Sequence, residues 1–220
     1  MILSKKGLKI IAIGAHPDDI ELACGGTLSR AVQNQHEVMM IVVTGKSSFD
    51  HTRASIRTEE EVIEEQKESC LSLGIKNIKV LGFEDQHVPY SVDLISKLDT
   101  LINDFQPDIV FTHFIFDTHQ DHIRTAQSTL SAARKQNTIL LYEPINPSGR
   151  GYVSFRPQVY IDITDNIKDK IEALKAHKSQ YEKYGDDWLE AVEARAKYRG
   201  FEMGSKYAEC FEVVRMEVNV

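Results

Sequence analysis

A three-layer α/β/α sandwich around a mostly parallel, Rossmann-like sheet is the fold class the sequence predicts, and three observations predict it. Short β-branched runs such as "LKIIAIGA" and "EVMMIVVTG" lack polar alternation, as strands buried on both faces do. Amphipathic segments separate these runs, and strand, helix and strand fit within about 35 residues, the βαβ unit that parallel pairing needs. The 220 residues, 42% hydrophobic and 27% charged, suffice for one sizeable core, so residues 1–220 are expected to form one domain.

The elements follow in order. After "LKIIAIGA", the residues Ile20, Ala23, Leu28, Ala31 and Val32 recur at helical spacing from Asp19 to about Gln35, and "EVMMIVVTG" is the second strand. Residues 45–56, "GKSSFDHTRASI", are polar and without period, which predicts a mobile loop. Residues 57–73 read as an amphipathic helix stopped by Gly74, with Glu59, Glu60, Glu61, Glu64, Glu65 and Glu68 as a solvated acidic face. "NIKVLGF" is a strand, Ser91–Phe105 a helix, "DIVFTHF" a strand, about Asp121 to Lys135 a helix, and "TILLYEP" a strand. Beyond Pro144 the pattern loosens. "PQVYIDIT" alternates like a half-exposed strand, Asp165 to about Lys183 and Asp187 to about Lys197 are helical, and "AECFEVVRMEV" is the closing strand.

Charge and composition narrow the functions. A net charge of −7 argues against a nucleic-acid partner. No apolar run is long enough for a signal peptide or membrane span, and Cys24, Cys70 and Cys210 are odd in number with no paired spacing, which suits a reducing cytosol. A cytoplasmic protein is expected. Gly25 and Gly26 invite a nucleotide-loop reading, but no G-x-G-x-x-G or P-loop spacing accompanies them, and close helix packing is the simpler explanation.

In an open parallel sheet, ligands bind outside the carboxyl ends of the strands. "AHPDD" follows the first strand and "FDTHQDH", residues 116–122, follows "DIVFTHF", so two polar loops meet at one rim. His16 and Asp19, three apart at a helix start, can point to one centre, and His122 can supply a third ligand. Two imidazoles and a carboxylate with an open position match catalytic zinc. Asp18 is left as general base, His119 can face the other side of a substrate carbonyl, and Asp121 can orient or charge His119. Alone, "HPDD" would read as a Pro-initiated turn with an Asp N-cap and "HQDH" as a surface turn; together behind parallel strands they read as a site. His36, His51, His87, His113 and His177 have no such company and are read as structural or solvated. The same ligand types also form the facial triad of non-haem Fe(II) oxygenases, which usually sit on all-β folds, and a non-catalytic sugar-binding protein would have no reason to keep Asp18.

"AHPDDIELACGGTL", "THQDHIRT" and the late "YRGFEMGSKYAECFEVVR" together resemble the PIG-L, or LmbE-like, zinc-dependent N-deacetylases. The resemblance implies hydrolysis of the N-acetyl group of a small N-acetylglucosamine-type sugar or glycoconjugate, with Zn2+, or Fe2+ in the cell, as the metal. It implies His16, Asp19 and His122 as metal ligands, Asp18 as base, and His119, oriented by Asp121, as transition-state stabiliser. Gln120 stands where the family commonly has Pro, which removes no chemical group. The family's substrate contacts fall on Arg53, Arg57 and Asp85, although Arg57 with Glu60 also reads as a plain helix pair. Arg53, Arg57 or Arg124 could bind an anionic aglycone, and relatives are often homo-oligomers.

Overall fold

The computed structural model describes residues 7–45, 48–49, 55–145 and 149–218. Along the chain run β1 (Lys9–Gly14), α1 (Asp19–Gln33), β2 (Glu37–Val42), β3 (Ser48–Phe49), β4 (Ser55–Arg57), α2 (Glu59–Ser72), β5 (Asn77–Val80) and α3 (Val92–Phe105). They are followed by β6 (Ile109–His113), α4 (Gln120–Ala132), β7 (Ile139–Tyr142), β8 (Val159–Asp162), α5 (Ile167–Ala176), α6 (Lys178–Met203) and β9 (Ala208–Arg215). Seven strands form one sheet in the order β5-β2-β1-β6-β7-β9-β8, and β3 pairs with β4 separately. The first five in that order are parallel; β9 runs antiparallel to both β7 and β8.

Side-chain alternation explains why the strands read as continuous apolar runs. Ile10, Ala12, Met40 and Phe111 point to one face, where Leu28, Leu73 and Ala173 from α1, the end of α2 and α5 cover them. Ile11, Ile13, Ile41 and Val110 point to the other, under Leu94, Leu98 and Ile102 of α3 and Ala132 of α4. Both faces are buried, so no polar period remains. The start of α2 is fixed by a capping box, Glu61 N–H donating to Thr58 Oγ1 at 3.2 Å and Thr58 N–H to Glu61 Oε2 at 2.8 Å. Gly74, at φ 72°, follows its end as expected.

Two features depart from the sequence pattern. Where one helix was expected to run through to Lys183, the chain breaks at His177 (φ −79°, ψ 69°), whose side chain turns into the interior. The long helix that follows bends at Gly185 (φ 67°, ψ −163°), in the gap between the two expected helices. The stretch expected as a mobile loop, 45–56, contributes the short β3–β4 ladder where it is described.

Helix α1 is itself broken at Cys24 (φ −141°, ψ 17°). The break frees the N–H groups of Gly26 and Thr27, and both donate to the buried Glu209 carboxylate, at 3.1 and 2.7 Å. Lys170 joins the repair, donating to Glu209 Oε1 at 2.5 Å and to the carbonyl of Leu22 at 2.7 Å. Gly26 is there for close approach: an added Cβ would stand 2.8 Å from Ile163 Cδ1, which is the packing role read for the glycine pair. Removing one partner of a buried ion pair leaves the other charge uncompensated, typically at about 3–5 kcal/mol. Lys170→Met is therefore expected to lose about that much in urea unfolding followed by the fluorescence of Trp188, and Lys170→Met/Glu209→Gln distinctly less than the single change. Equal losses for single and double variants would show that the pair is not what holds the break.

Candidate active site

Strands β1 and β6 are parallel neighbours, Ile10 opposite Ile109 and Ala12 opposite Phe111, so the segments leaving their carboxyl ends emerge side by side. His16 Nδ1 and His122 Nε2 lie 3.2 Å apart, His16 Nδ1 is 3.3 Å from Asp19 Oδ2, and His122 Nε2 is 3.3 Å from Asp19 Oδ1. Ligands about 2.1 Å from a tetrahedral cation stand roughly 3.4 Å from one another. The two imidazole nitrogens meet that spacing with each other, and each meets it with a different oxygen of Asp19, of which Oδ2 also accepts the His16 N–H at 2.6 Å. Each imidazole is backed by a carboxylate on its other nitrogen. Asp121 Oδ2 is 3.0 Å from His16 Nε2, and Asp117 Oδ2 is 3.0 Å from His122 Nδ1, both carboxylates nearly inaccessible to water. With a cation at the centre, that arrangement would put the ring protons on the outside and turn the two lone pairs inward, as metal-ligating histidines require.

The carboxylates are themselves anchored. Asp121 accepts the N–H groups of Gln86 (2.7 Å) and Val88 (3.1 Å), and Asp117 accepts that of His119 (2.8 Å). Asp121 was expected to orient or charge His119; its carboxylate bonds His16, its backbone N–H donates to His119 Nδ1 at 3.2 Å, and its charge is one of those acting on His119. Since Nδ1 is the acceptor, neutral His119 carries its proton on Nε2. Its ring stacks on His122 at 4.6 Å and meets His16 edge-on at 4.8 Å.

His113, read as structural from the sequence, belongs to the site. It stacks on His122 at 4.1 Å and lies 3.3 Å from Asp19 Oδ2. Asp19, His113 and His122 are thus close enough to share an ion, but His113 Nε2 already accepts the N–H of Ala15 at 2.9 Å. His113 ends a fully buried strand, where a pattern reading treats it as core. Asp85 is brought in as well, 3.2 Å from His16 Nε2. Arg57 is buried and its Nη1 donates to Glu65 Oε2 at 3.1 Å rather than pairing with Glu60; Arg124 is exposed and donates to Gln127. Arg53 and His51 lie outside the described residues.

Electrostatics follow this geometry. Burial would raise the Asp19 carboxyl, but His122, His113 and His16 hold it well below the ordinary 3.8. Burial would lower His122, yet Asp19 and Asp117 push it up to about 9. His119 is lowered by burial and by the neighbouring His16 and His122. Burial and the adjacent Asp19 push Asp18 up to about 7, the value of a group able to take and return a proton near neutrality. Asp18 also holds a backbone of positive φ, 101° with ψ −26°, which is strained for a residue other than glycine.

Behind Asp18 lies a buried polar cluster that sequence reasoning missed. Glu21 Oε1 accepts from Gln66 Nε2 at 2.7 Å and Ser69 Oγ at 2.6 Å and faces His177 Nε2 at 3.2 Å. Glu65, expected on the solvated face of its helix, accepts from the N–H and Oγ of Ser179 as well as from Arg57.

The model of the PIG-L family, described as GlcNAc-PI de-N-acetylase, matches residues 11–133. An Escherichia coli K12 protein described as the uncharacterized deacetylase YaiS is 36% identical over 178 residues, 77% of this chain and 90% of that protein. The diacetylchitobiose deacetylase of Thermococcus kodakarensis is 27% identical over 217 residues, 91% of this chain and 81% of its own length. Among solved structures, the conserved protein TT1542 of Thermus thermophilus superposes with a TM-score of 0.81 at 26% identity, covering 97% of each chain.

Two outcomes follow from strain and linkage. Glycine adopts positive φ without penalty, so Asp18→Gly should raise the melting temperature, by an amount equivalent to about 1 kcal/mol, while activity falls. An unchanged or lowered melting temperature would show that the backbone there is relaxed. Burial alone would lower His177, but Glu21 overrides it and holds the imidazolium above the ordinary 6.5, while His177 holds Glu21 below 4.5; Asp18 and Arg57 are the other charges acting on His177. The contribution of a raised histidine is full below its unfolded value and is lost as pH rises through the folded one. The stability gap between wild type and His177→Gln should therefore narrow as pH rises above the ordinary 6.5, and a gap that stays constant on raising the pH contradicts a charged His177.

Proposed function

The chain belongs to the PIG-L family and is a deacetylase, a hydrolase of amide bonds, and on that premise we propose that it removes the N-acetyl group of an N-acetylglucosamine-type sugar or glycoconjugate, using zinc held by His16, Asp19 and His122. The observation that carries the reading is the set of three donor groups 3.2–3.3 Å apart with a carboxylate behind each imidazole. Zinc bound there would supply Lewis acidity, polarising the acetamide carbonyl and acidifying a water molecule; iron(II) suits the same ligands.

The chain's own groups supply the rest. Asp18, with its raised proton affinity, takes the proton of the attacking water and returns it to the departing sugar amine. His119 presents its Nε2–H to the carbonyl oxygen as that oxygen gains charge, and needs no net charge of its own to do so. Asp117 and Asp121 keep both imidazoles in the ligating tautomer. Asp85 stands at the open edge beside His16, where it can accept a sugar hydroxyl. The relative from Thermococcus kodakarensis is a diacetylchitobiose deacetylase by name, which supports an amino sugar as substrate class. Three buried free cysteines suit the cytoplasm as the place of action, and among the described residues no helix is long and apolar enough to cross a membrane.

The purified protein is expected to carry about one zinc per chain, with His122→Ala losing metal and activity together. Asp18→Asn should keep the metal and lose roughly 10²–10⁴ in kcat, measured as free amine released from N-acetylglucosaminides, the range for removal of a positioned base. A metal-free Asp18→Asn protein would make Asp18 a ligand, and a near wild-type rate would remove it from the chemistry.

A further inference from the structure

Two cavities adjoin at the rim, sharing Leu22, Ala23, Glu143 and Ile145. The first opens on Asp19, His113 and His122, and neither Asp18, His119 nor Asp85 lines it, so it reaches the cluster through residues other than the base and the sugar contact. The second runs on between α1, α6 and the start of β9. Its lining carries three cations, Lys170, Arg195 and Arg199, against two carboxylates, Glu143 and Glu209.

The pairing within the second cavity decides where the excess charge lies. Lys170 is spent on Glu209 at 2.5 Å. Arg199 grips both oxygens of Glu143, donating from Nε at 3.1 Å and also from Nη2, and Cys210 Sγ donates to the same carboxylate at 3.2 Å. Arg195 is what remains. Its Nη1 donates to the Pro144 carbonyl at 2.9 Å and stands 3.5 Å from Glu143, and among the described residues its Nε and Nη2 make no hydrogen bond. A guanidinium edge with two donors to spare, reached across an apolar wall of Leu22, Ala23 and Ile145, matches a small anion with a methyl group and a carboxylate.

We propose that this second cavity is a carboxylate site that receives the acetate released by hydrolysis, its oxygens on Arg195 and its methyl on the shared apolar wall. The inference rests on the deacetylase reading above. Hydrolysis of the acetamide by one water gives the sugar amine, which takes up a proton, and acetate. The amine leaves with the sugar past His119 and Asp85, while acetate is the fragment left on the inner side, and Arg195 gives it a separate way off the centre.

The test is a titration of the purified full chain with [1-13C]acetate followed by NMR, repeated after chelation of its metal. Saturable binding on the order of 1 mM is expected, retained after chelation, weakened about ten-fold by Arg195→Gln and less by Arg195→Lys. Absence of saturable binding, binding lost on chelation, or binding unchanged in Arg195→Gln overturns the site. A methyl glucuronide titrated in parallel separates the other source of a carboxylate: if Arg195→Gln weakens the glucuronide and leaves acetate unaffected, the cavity reads an acidic aglycone and the acetate assignment is wrong. Acetate that fails to bind a chain still releasing amine from N-acetylglucosaminides removes the site alone, whereas acetate bound without such release removes the substrate reading alone.

Discussion

The break in α1 leaves two peptide N–H groups facing the interior, and each would cost about 1–3 kcal/mol if left without an acceptor. Glu209 accepts both, yet a lone carboxylate at 4% exposure would be costlier still, so Lys170 must stand beside it. The turn carrying Asp19 is thereby set at its own angle, independent of the segment that packs Gly26 on Ile163. A straight helix would have to choose between seating Asp19 among three imidazoles and lying flat on the sheet. The acid and base of one buried pair, from β9 and α5, let it do both.

Local pattern carried much of this. The parallel order follows from strand, helix and strand recurring, and the meeting of His16, Asp19 and His122 follows from placing two loops at the carboxyl ends of strands that turn out to be neighbours. Asp85, given by the resemblance as a substrate contact, stands 3.2 Å from His16 Nε2. These residues were legible because each stands in a polar loop directly behind an apolar strand, where a charged group has no reason to be silent.

Other residues were hidden by their surroundings. His113 terminates a buried strand, and Glu209 lies in a strand, "AECFEVVR", that also carries Glu212 and Arg215; nothing in such a run singles out one polar residue until its partner is known. Lys170, Glu65 and His177 occur among charged helical residues, where an inward carboxylate or amine looks like any solvated one. Asp117 and Asp121 were in view, but which imidazole each supports depends on ring orientation, which one-dimensional spacing does not encode. The partner of Arg57 was hidden for a similar reason: the one visible in the sequence was Glu60, while the fold supplies Glu65.

The imidazoles of His16 and His122 are separated by 106 residues, and the contact between them exists only where β1 and β6 lie side by side. During synthesis, therefore, the ribosome must have passed the start of α4 before the cluster can close, because "AHPDD" brings His16 and Asp19 and "THQDH" brings His122. Closure of the cluster in a growing chain is in effect a timer for the completion of the sheet's centre, reporting that its two middle strands have paired before the antiparallel edge is made.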